Sequence, residues 1–521
     1  MKKNRLAILA CMCMMATLPA CKDFLNTEPS DSLPTDKVLS EYSLLPSAVN
    51  GLYDGLQGNS RSTAYYAAMF PIAGDLMGDD VQGVPTGSRV SSYYKMSYTK
   101  SNAPGIWYKA YNTLRRANRL IEMCDKLTNA SPSTSQATQI KSARAQALAV
   151  RALVHFDLCR QYATPYPFSN DGKALGVPIL VTIPENRSTP GRATLGEVYT
   201  QIISDFKEAI ASNALSETDY GFISLYAAKA LLARVYLYMG TSEGNTEALR
   251  LCKEVIESGK YELASTVSEY KTIWSEPGSK EMIFSIVNFD TKDWADREGL
   301  AYIYSVNGYY DAHITKKFYE EMLQDPDDIR WNVLWPSEGT NATGAIKGVP
   351  EINPNMKIFI GKYPGKAAYK DMRSNDIPVI RLAEVYLNAA EAAFKLNDKA
   401  TAQTYLNAIV KRANGSKSVA LADVTLERIL LERAKELVGE GHRFFDLMRN
   451  GLRCERFYGG VAGWHGTLDK KSQSFDHTYF RTILPIPEAE LDVNPTLAQQ
   501  QNPGYYPSPL LFSSRIPSPK V

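Results

Sequence analysis

Three kinds of side chain in this 521-residue sequence have the types and spacing to do chemistry. The first is a hydroxyl. Gly240-Thr241-Ser242-Glu243-Gly244 matches G-x-S-x-G, the turn that presents a nucleophilic serine, but that turn requires a strand before it and a helix after. A helical run precedes it here, so the stretch reads as a turn between helices. The second is the carboxylate. Asp75 with Asp79 or Asp80 offers the acid and base of glycoside hydrolysis, which needs two carboxyls at a set separation across one cleft. Asp290/Asp293/Asp296 and Asp325/Asp327/Asp328 offer oxygen ligands for calcium, without the glycine and twelfth-position glutamate of an EF-hand loop. The five histidines show no H-E-x-x-H or Cys/His spacing, and there is no P-loop or G-x-G-x-x-G, so neither metal nor cofactor is expected. The third kind is aromatic. A tyrosine presents an apolar face and a hydroxyl, the pair of surfaces that suits the CH faces and hydroxyl rim of a sugar.

The 31 tyrosines and their aromatic companions crowd into stretches without helical period. Thr63 to Ser101 holds Tyr65, Tyr66, Tyr93, Tyr94 and Tyr98. Ala264 to Asp376 holds Trp274, Phe289, Trp294, Tyr302, Tyr304, Tyr309, Tyr310, Trp331 and Trp335. Leu452 to Tyr479 holds Tyr458 and Trp464, with Phe480 just beyond.

Between these lie the elements that must position them. Apolar residues recur every three or four positions over Ala103 to Asp125, Gln139 to Tyr162, Leu195 to Ile210, Leu225 to Met239, Val379 to Leu396 and Leu426 to Met448, the period of an amphipathic helix. In the first of these, Trp107 falls on the core face. Thr194 and Ser216-type residues start helices, and Gly240 and Asn397 stop them. Ala390 and Ala402, twelve residues apart around a Leu396-Asn397-Asp398 turn, have the placement that lets paired helices of a tetratricopeptide repeat cross closely. Ala233, Tyr236, Gly240 and Ala248 repeat it with a longer turn. A helical hairpin cannot bury its apolar face alone, so hairpins must stack. The expected fold is mainly α: a tetratricopeptide-like helical-hairpin superhelix, with scaffold at about 103–262 and 377–450, an irregular lobe at about 264–376 and a smaller insertion at about 452–482. Glu432, Arg433, Glu436, Glu440, Arg443 and Asp446 read as ion pairs bracing one helix.

The N-terminus supplies an address. Lys2, Lys3 and Arg5 precede an apolar run, Leu6 to Leu18, of about 13 residues, too short for the roughly 20 that span a bilayer and typical of a secretory signal. Leu18-Pro19-Ala20-Cys21 resembles a bacterial lipobox, in which the Cys21 thiol is diacylated and the peptide is cut before it. Residues 1–20 are then the signal peptide and 21–521 one domain on a stable lipid tether. Without Lys2, Lys3 and Arg5 the charge is 55 Lys+Arg against 56 Asp+Glu, a balance that argues against nucleic acid. Cys124, Cys159, Cys252 and Cys454 form no CxxC and read as buried apolar residues.

Several stretches, taken in order, resemble the SusD/RagB family of Bacteroidetes outer-membrane lipoproteins. They are CKDFLNTEPSD after the signal, ALAVRALVHFDLCRQYATPYPFS (147–169), TPGRATLGEVYTQIISDFKEAI, AAKALLARVYLY, IPVIRLAEVYLNAAEA, LERILLERAKELVGEGHRFFDLMRNG, and the ending LPIPEAEL…NP…QNPGYY. The charged Lys22 and Asp23 after the cysteine resemble the family's surface-export signal. The resemblance implies a surface-exposed, lipid-anchored protein of the outer membrane. Such a protein binds an oligosaccharide without catalysis and delivers it to a SusC-like TonB-dependent barrel. A peptide ligand, as in RagB-like members, is the alternative, and a surface glycoside hydrolase or a structural adaptor lies further off. The family's ligand residues come from the loop before the first helix pair and from the irregular lobe. That makes Tyr65, Tyr66, Asp75, Tyr93 and Tyr94 candidates from the first region and Trp294, Arg297, Tyr302, Tyr304, Tyr309 and Tyr310 from the second.

Overall fold

Side-chain oxygens of Ser133, Thr194, Ser224, Thr241, Thr266, Thr315, Asp398 and Thr425 each accept from the N–H three residues on, and so start eight helices. At Ser133, Thr194 and Thr266 a Gln or Glu reaches back to complete a capping box. The computed structural model describes residues 40–58, 65–84, 88–183, 188–288, 299–305, 307–336, 357–456 and 468–506.

Helices of seven residues or more among them are α1 (Leu45–Gln57), α2 (Met69–Leu76), α3 (Trp107–Asn129), α4 (Thr134–Tyr162), α5 (Leu195–Ala211), α6 (Leu225–Met239), α7 (Ser242–Glu257), α8 (Val267–Ser275), α9 (Lys316–Leu323), α10 (Leu382–Lys395), α11 (Lys399–Ala413), α12 (Leu426–Leu437) and α13 (Arg443–Arg449). Strands are β1 (Val81–Gly83), β2 (Met282–Ile286), β3 (Ala312–Ile314), β4 (Leu334–Pro336), β5 (Ile358–Ile360), β6 (Ile377–Arg381), β7 (Cys454–Glu455) and β8 (Ser474–Phe475), paired antiparallel as β1–β3, β2–β6, β4–β5 and β7–β8.

Each helix from α3 to α7 packs on the next, and α7 packs directly on α10, which packs on α11 and α12. The stack is therefore continuous although the chain between α7 and α10 leaves it. Ala390 and Ala402 are both fully buried in the cluster between α10, α11 and α12, as the small-residue spacing predicts. Gly240 and Asn397 take left-handed φ values of 68° and 65° at the two turns. Ser242 begins α7 directly after a helix and a turn, so no nucleophile elbow forms.

Three expectations change. The helix predicted to start at Val379 begins at Leu382, because Val379–Arg381 pairs with β2. Ser224, not Ser216, caps α6. The run Leu426 to Met448 is two helices, broken where Gly439 and Gly441 take φ of 83° and 81°. Within the stretches read as irregular, α2, α8 and α9 are helical.

The charged residues of that broken run pair only in part along a helix, Glu432 with Arg428 and Asp446 with Arg449. They also reach other elements: Glu432 to Arg330, Glu436 to Arg381 and Arg412, Glu440 to Arg381 and Lys362, and Arg443 to Asp79.

Candidate functional site

β1 and β3 set Val81 opposite Ile314 and Gly83 opposite Ala312, which lays the first aromatic stretch against the lobe. Just before β3 the chain folds tightly: the Tyr309 N–H donates to Tyr302 O at 2.7 Å and the Gly308 N–H to Ser305 O at 3.0 Å. Tyr302 and Tyr309 are thereby held with ring centroids 5.7 Å apart. Tyr310 sits at φ 63°, a conformation few residues other than glycine adopt. It meets the Phe359 ring edge-on at 5.3 Å and stays 42% exposed. Arg89 lies over the Tyr309 ring at 3.5 Å. Its N–H donates to Asp311 Oδ2 at 3.2 Å, and the Asp311 carbonyl accepts from Val84 at 2.9 Å. The result is an exposed Tyr310 and a half-buried Tyr309 capped by the Arg89 guanidinium, with Tyr302 and the Asp311 carboxylate buried behind them.

The other candidates go elsewhere, into the interior, and Tyr65, Tyr66, Asp75 and Tyr304 are held there by hydrogen bonds. Tyr65 and Tyr66 stack on each other at 4.9 Å, and both hydroxyls donate to Asp157 Oδ2, at 2.8 and 2.7 Å. Asp157 also pairs with Arg160, whose guanidinium lies 4.5–5.3 Å from the rings of Phe70, Phe156 and Phe445. Burial first, then the Asp157 charge, pushes both phenols far above their usual range. Tyr93 is fully buried, and Tyr94 lies under the Arg456 guanidinium at 4.7 Å. Asp75 accepts from Tyr304 Oη (its distance 2.6 Å) and from the Gly441 N–H at 3.1 Å. These six residues, Tyr65, Tyr66, Asp75, Tyr93, Tyr94 and Tyr304, brace the core and present no open face. Tyr302 is 9% exposed and backs the aromatic turn. Trp294, Arg297 and Cys21 lie outside the described residues, as do the Asp290/Asp293/Asp296 cluster, Tyr458 and Trp464.

The carboxylates considered for hydrolysis share this fate. Asp79 is paired with Arg443 at 2.6 Å and Lys317 at 3.1 Å, and Asp80 with Arg443 at 3.1 Å, all inside. Asp325 accepts from Asn414 at 2.8 Å and Asp328 is paired with Arg330 at 2.5 Å, so both are engaged by protein donors.

Asp75 carries a pH signature. Burial pushes its carboxyl up, the Tyr304 and Gly441 donors and the Lys362 charge pull it back only partly, and it rests at about 7. The folded chain then keeps this proton up to about pH 7, whereas the unfolded chain releases it in the ordinary carboxylate range. Stability from this group is full at low pH and falls as pH rises to about 7. Asp75→Asn is expected to match the wild type near pH 4 and to exceed it at pH 8. Urea denaturation midpoints at both pH values check this; a variant deficit that is larger at pH 8 contradicts it.

Sequence reasoning missed Arg89, Asp311 and Phe359. Asp311 directly follows Tyr309 and Tyr310, and a search for charges beside aromatic pairs would have found it. Arg89 and Phe359 are brought in by strand pairing alone.

Residues 235–505 match the SusD family, and residues 23–237 match a family described as starch-binding associating with outer membrane. A SusD superfamily protein from Bacteroides vulgatus ATCC 8482 superposes with a TM-score of 0.77 at 32% identity, covering 90% of this chain and 100% of that one. Surface glycan-binding protein A from Bacteroides thetaiotaomicron, solved with laminarihexaose, superposes with a TM-score of 0.67 at 23% identity, covering 88% and 99%. The starch-binding protein SusD of Bacteroides thetaiotaomicron is 35% identical over 145 residues, 28% of this chain and 24% of that protein. No helix among the described residues is long and apolar enough to cross a membrane. With a family profile spanning more than half its length and the same helical stack, the chain belongs to the SusD family.

Proposed function

We propose that this protein binds an oligosaccharide at the cell surface and passes it unaltered to a SusC-like TonB-dependent barrel, from a lipid tether on Cys21. The observation that carries the reading is the turn of Tyr302, Tyr309 and Tyr310 with Arg89 over one ring and Asp311 beside it. The exposed Tyr310 ring matches a sugar CH face and the Arg89 guanidinium beside it a hydroxyl rim, with Asp311 holding the Arg89 backbone in place. The match of residues 23–237 to a starch-binding, outer-membrane family supports both ligand class and address. The inward commitment of Asp75, Asp79 and Asp80 supports capture over hydrolysis.

Calorimetric titration of the mature chain with a panel of neutral gluco-oligosaccharides tests this. Tyr309→Ala and Tyr310→Ala are each expected to weaken binding at least about tenfold, equivalent to ~1.4 kcal/mol, with unchanged circular dichroism and no released reducing ends. Equal affinities in both variants, or sugar release, would overturn it. Binding of peptides but no glycan would move the ligand class to the RagB-like alternative.

A further inference from the structure

Between α1, the turn at 219–223 and the end of β2 lies an open cavity of about 430 Å³. It shares Asn50, Asp219 and Phe222 with a neighbouring cavity of about 360 Å³. The two adjoin at these three residues, and together the trough they make along the surface reaches from Ile286 and Val287 on one side to Leu45 and Pro46 on the other. Each half is as large as an ordinary small-ligand cleft, roughly 300–1,000 Å³.

The walls are fixed before any ligand arrives. Tyr53 Oη donates to Gln146 and accepts from the Ile223 N–H at 2.9 Å, while Gln146 Nε2 donates to Ile223 O at 3.0 Å. The turn is thus tied to α1 and α4 at once. Phe222 stands edge-on to Tyr53 at 4.7 Å. Tyr220 leans on Gly278, where an added Cβ would sit 2.8 Å from the ring. A prebuilt wall of this kind spares a ligand the cost of ordering it.

The lining chemistry selects the occupant. Three aromatic rings, the amides of Asn50 and Gln57 and the carboxylates of Asp54 and Asp219 face the first half. No lysine or arginine is among the described residues lining either half, and Arg116 beside Asp54 is already neutralised by it, so an anionic ligand meets little counter-charge. The carboxylates are already engaged, Asp54 by Arg116 at 2.6 Å and Asp219 by the Gly221 N–H at 2.9 Å, which blunts their pull on a cation. Their oxygens retain lone pairs for hydroxyl donors. Rings, amides and accepting oxygens together complement a neutral polyol, and the trough's length suits a chain of them.

We propose that this trough is a second saccharide site, for neutral linear oligosaccharides, built from residues separate from the aromatic turn. The test uses the full mature chain carrying both Tyr309→Ala and Tyr310→Ala, titrated with laminarihexaose, maltohexaose and cellohexaose in turn. At least one is expected to bind, and Tyr220→Ala to weaken that binding at least tenfold. Asn50→Trp, at an exposed rim position shared by both halves, is expected to do the same by filling the trough, and serves if Tyr220→Ala fails to fold. Absence of binding by all three sugars, or binding indifferent to the trough substitutions, overturns the proposal. Equal binding of a hexagalacturonate overturns its neutrality. Failure of the aromatic-turn reading is seen separately, in the otherwise wild-type chain, as Tyr309→Ala and Tyr310→Ala without effect.

Discussion

Arg381→Met is expected to remove about 3–5 kcal/mol of stability, a large share of what holds the chain folded. Arg381 ends β6, and its guanidinium is 1% exposed. Its five N–H groups meet five acceptors: Glu281 at 2.5 Å, the Glu436 side chain and carbonyl at 2.7 and 2.8 Å, and both Glu440 oxygens at 2.8 Å. Arg412 shares Glu436 and Glu281 with it and Lys362 shares Glu440, while Arg330 is held mainly by Asp328, so three carboxylates each keep a cation but lose their central donor. Removing one partner of a buried ion network costs about 3–5 kcal/mol, because the others stay desolvated with fewer donors than acceptors. Whole domains hold about 5–15 kcal/mol in total. Arg381→Lys is expected to fail nearly as badly, since three donors on one nitrogen cannot replace a planar fork of five. Urea denaturation of the purified variants measures this, and a loss below about 1 kcal/mol would refute the assignment. The same network sets an acid limit. Burial pushes the Glu440 carboxyl up, but Arg381 and Lys362 together outweigh it and hold it below its usual range. Its contribution is present above the ordinary carboxylate range and is lost as pH falls.

The second large effect is expected from one methyl group. At Gly74 an added Cβ would lie 1.9 Å from Gly441 O and 2.3 Å from its carbonyl carbon, while a Cβ on Gly441 would lie 2.5 Å from Pro71 Cα. Helix α2 and the turn between α12 and α13 thus touch backbone to backbone. Neither can yield by a rotamer change, so Gly74→Ala is expected to cost about 3 kcal/mol, the upper end for overpacking. It also pries Gly441 from Asp75, and Asp75 holds Tyr304, two residues from Tyr302. A lowered denaturation midpoint together with weakened glycan binding is the expected pair of results. A shifted midpoint with unchanged affinity would mean that the Asp75 link does not position the aromatic turn.

Particular residues show what the sequence made legible. The stacked hairpins were readable because helix period and small-residue spacing are local, and Gly240 and Asn397 sit at their predicted turns. Val-Gly-Glu-Gly-His at 438–442 also announced its break, yet the apolar period on both sides masked it. The site was readable only in part. Tyr309 and Tyr310 stand on the surface turn, but Tyr65 and Tyr66 turn inward because Asp157, some ninety positions later, accepts both hydroxyls. A count of aromatic rings carries no record of a distant carboxylate. For the same reason Arg89 became visible only once β1 and β3 were paired.

The excursion from the helical stack departs by β2, returns by β6, and those two strands are hydrogen-bonded to each other. Its ends are therefore clasped at one neck, so length added beyond the clasp costs little closure entropy. Between residues 287 and 376 the loops can therefore lengthen at little cost, so long as Arg330, Lys362, Lys317 and Tyr304, which reach back to the rest of the fold, are kept. Redesign of this part of the molecule is then a matter of changing loops around fixed anchor residues, with the strand clasp left as it is.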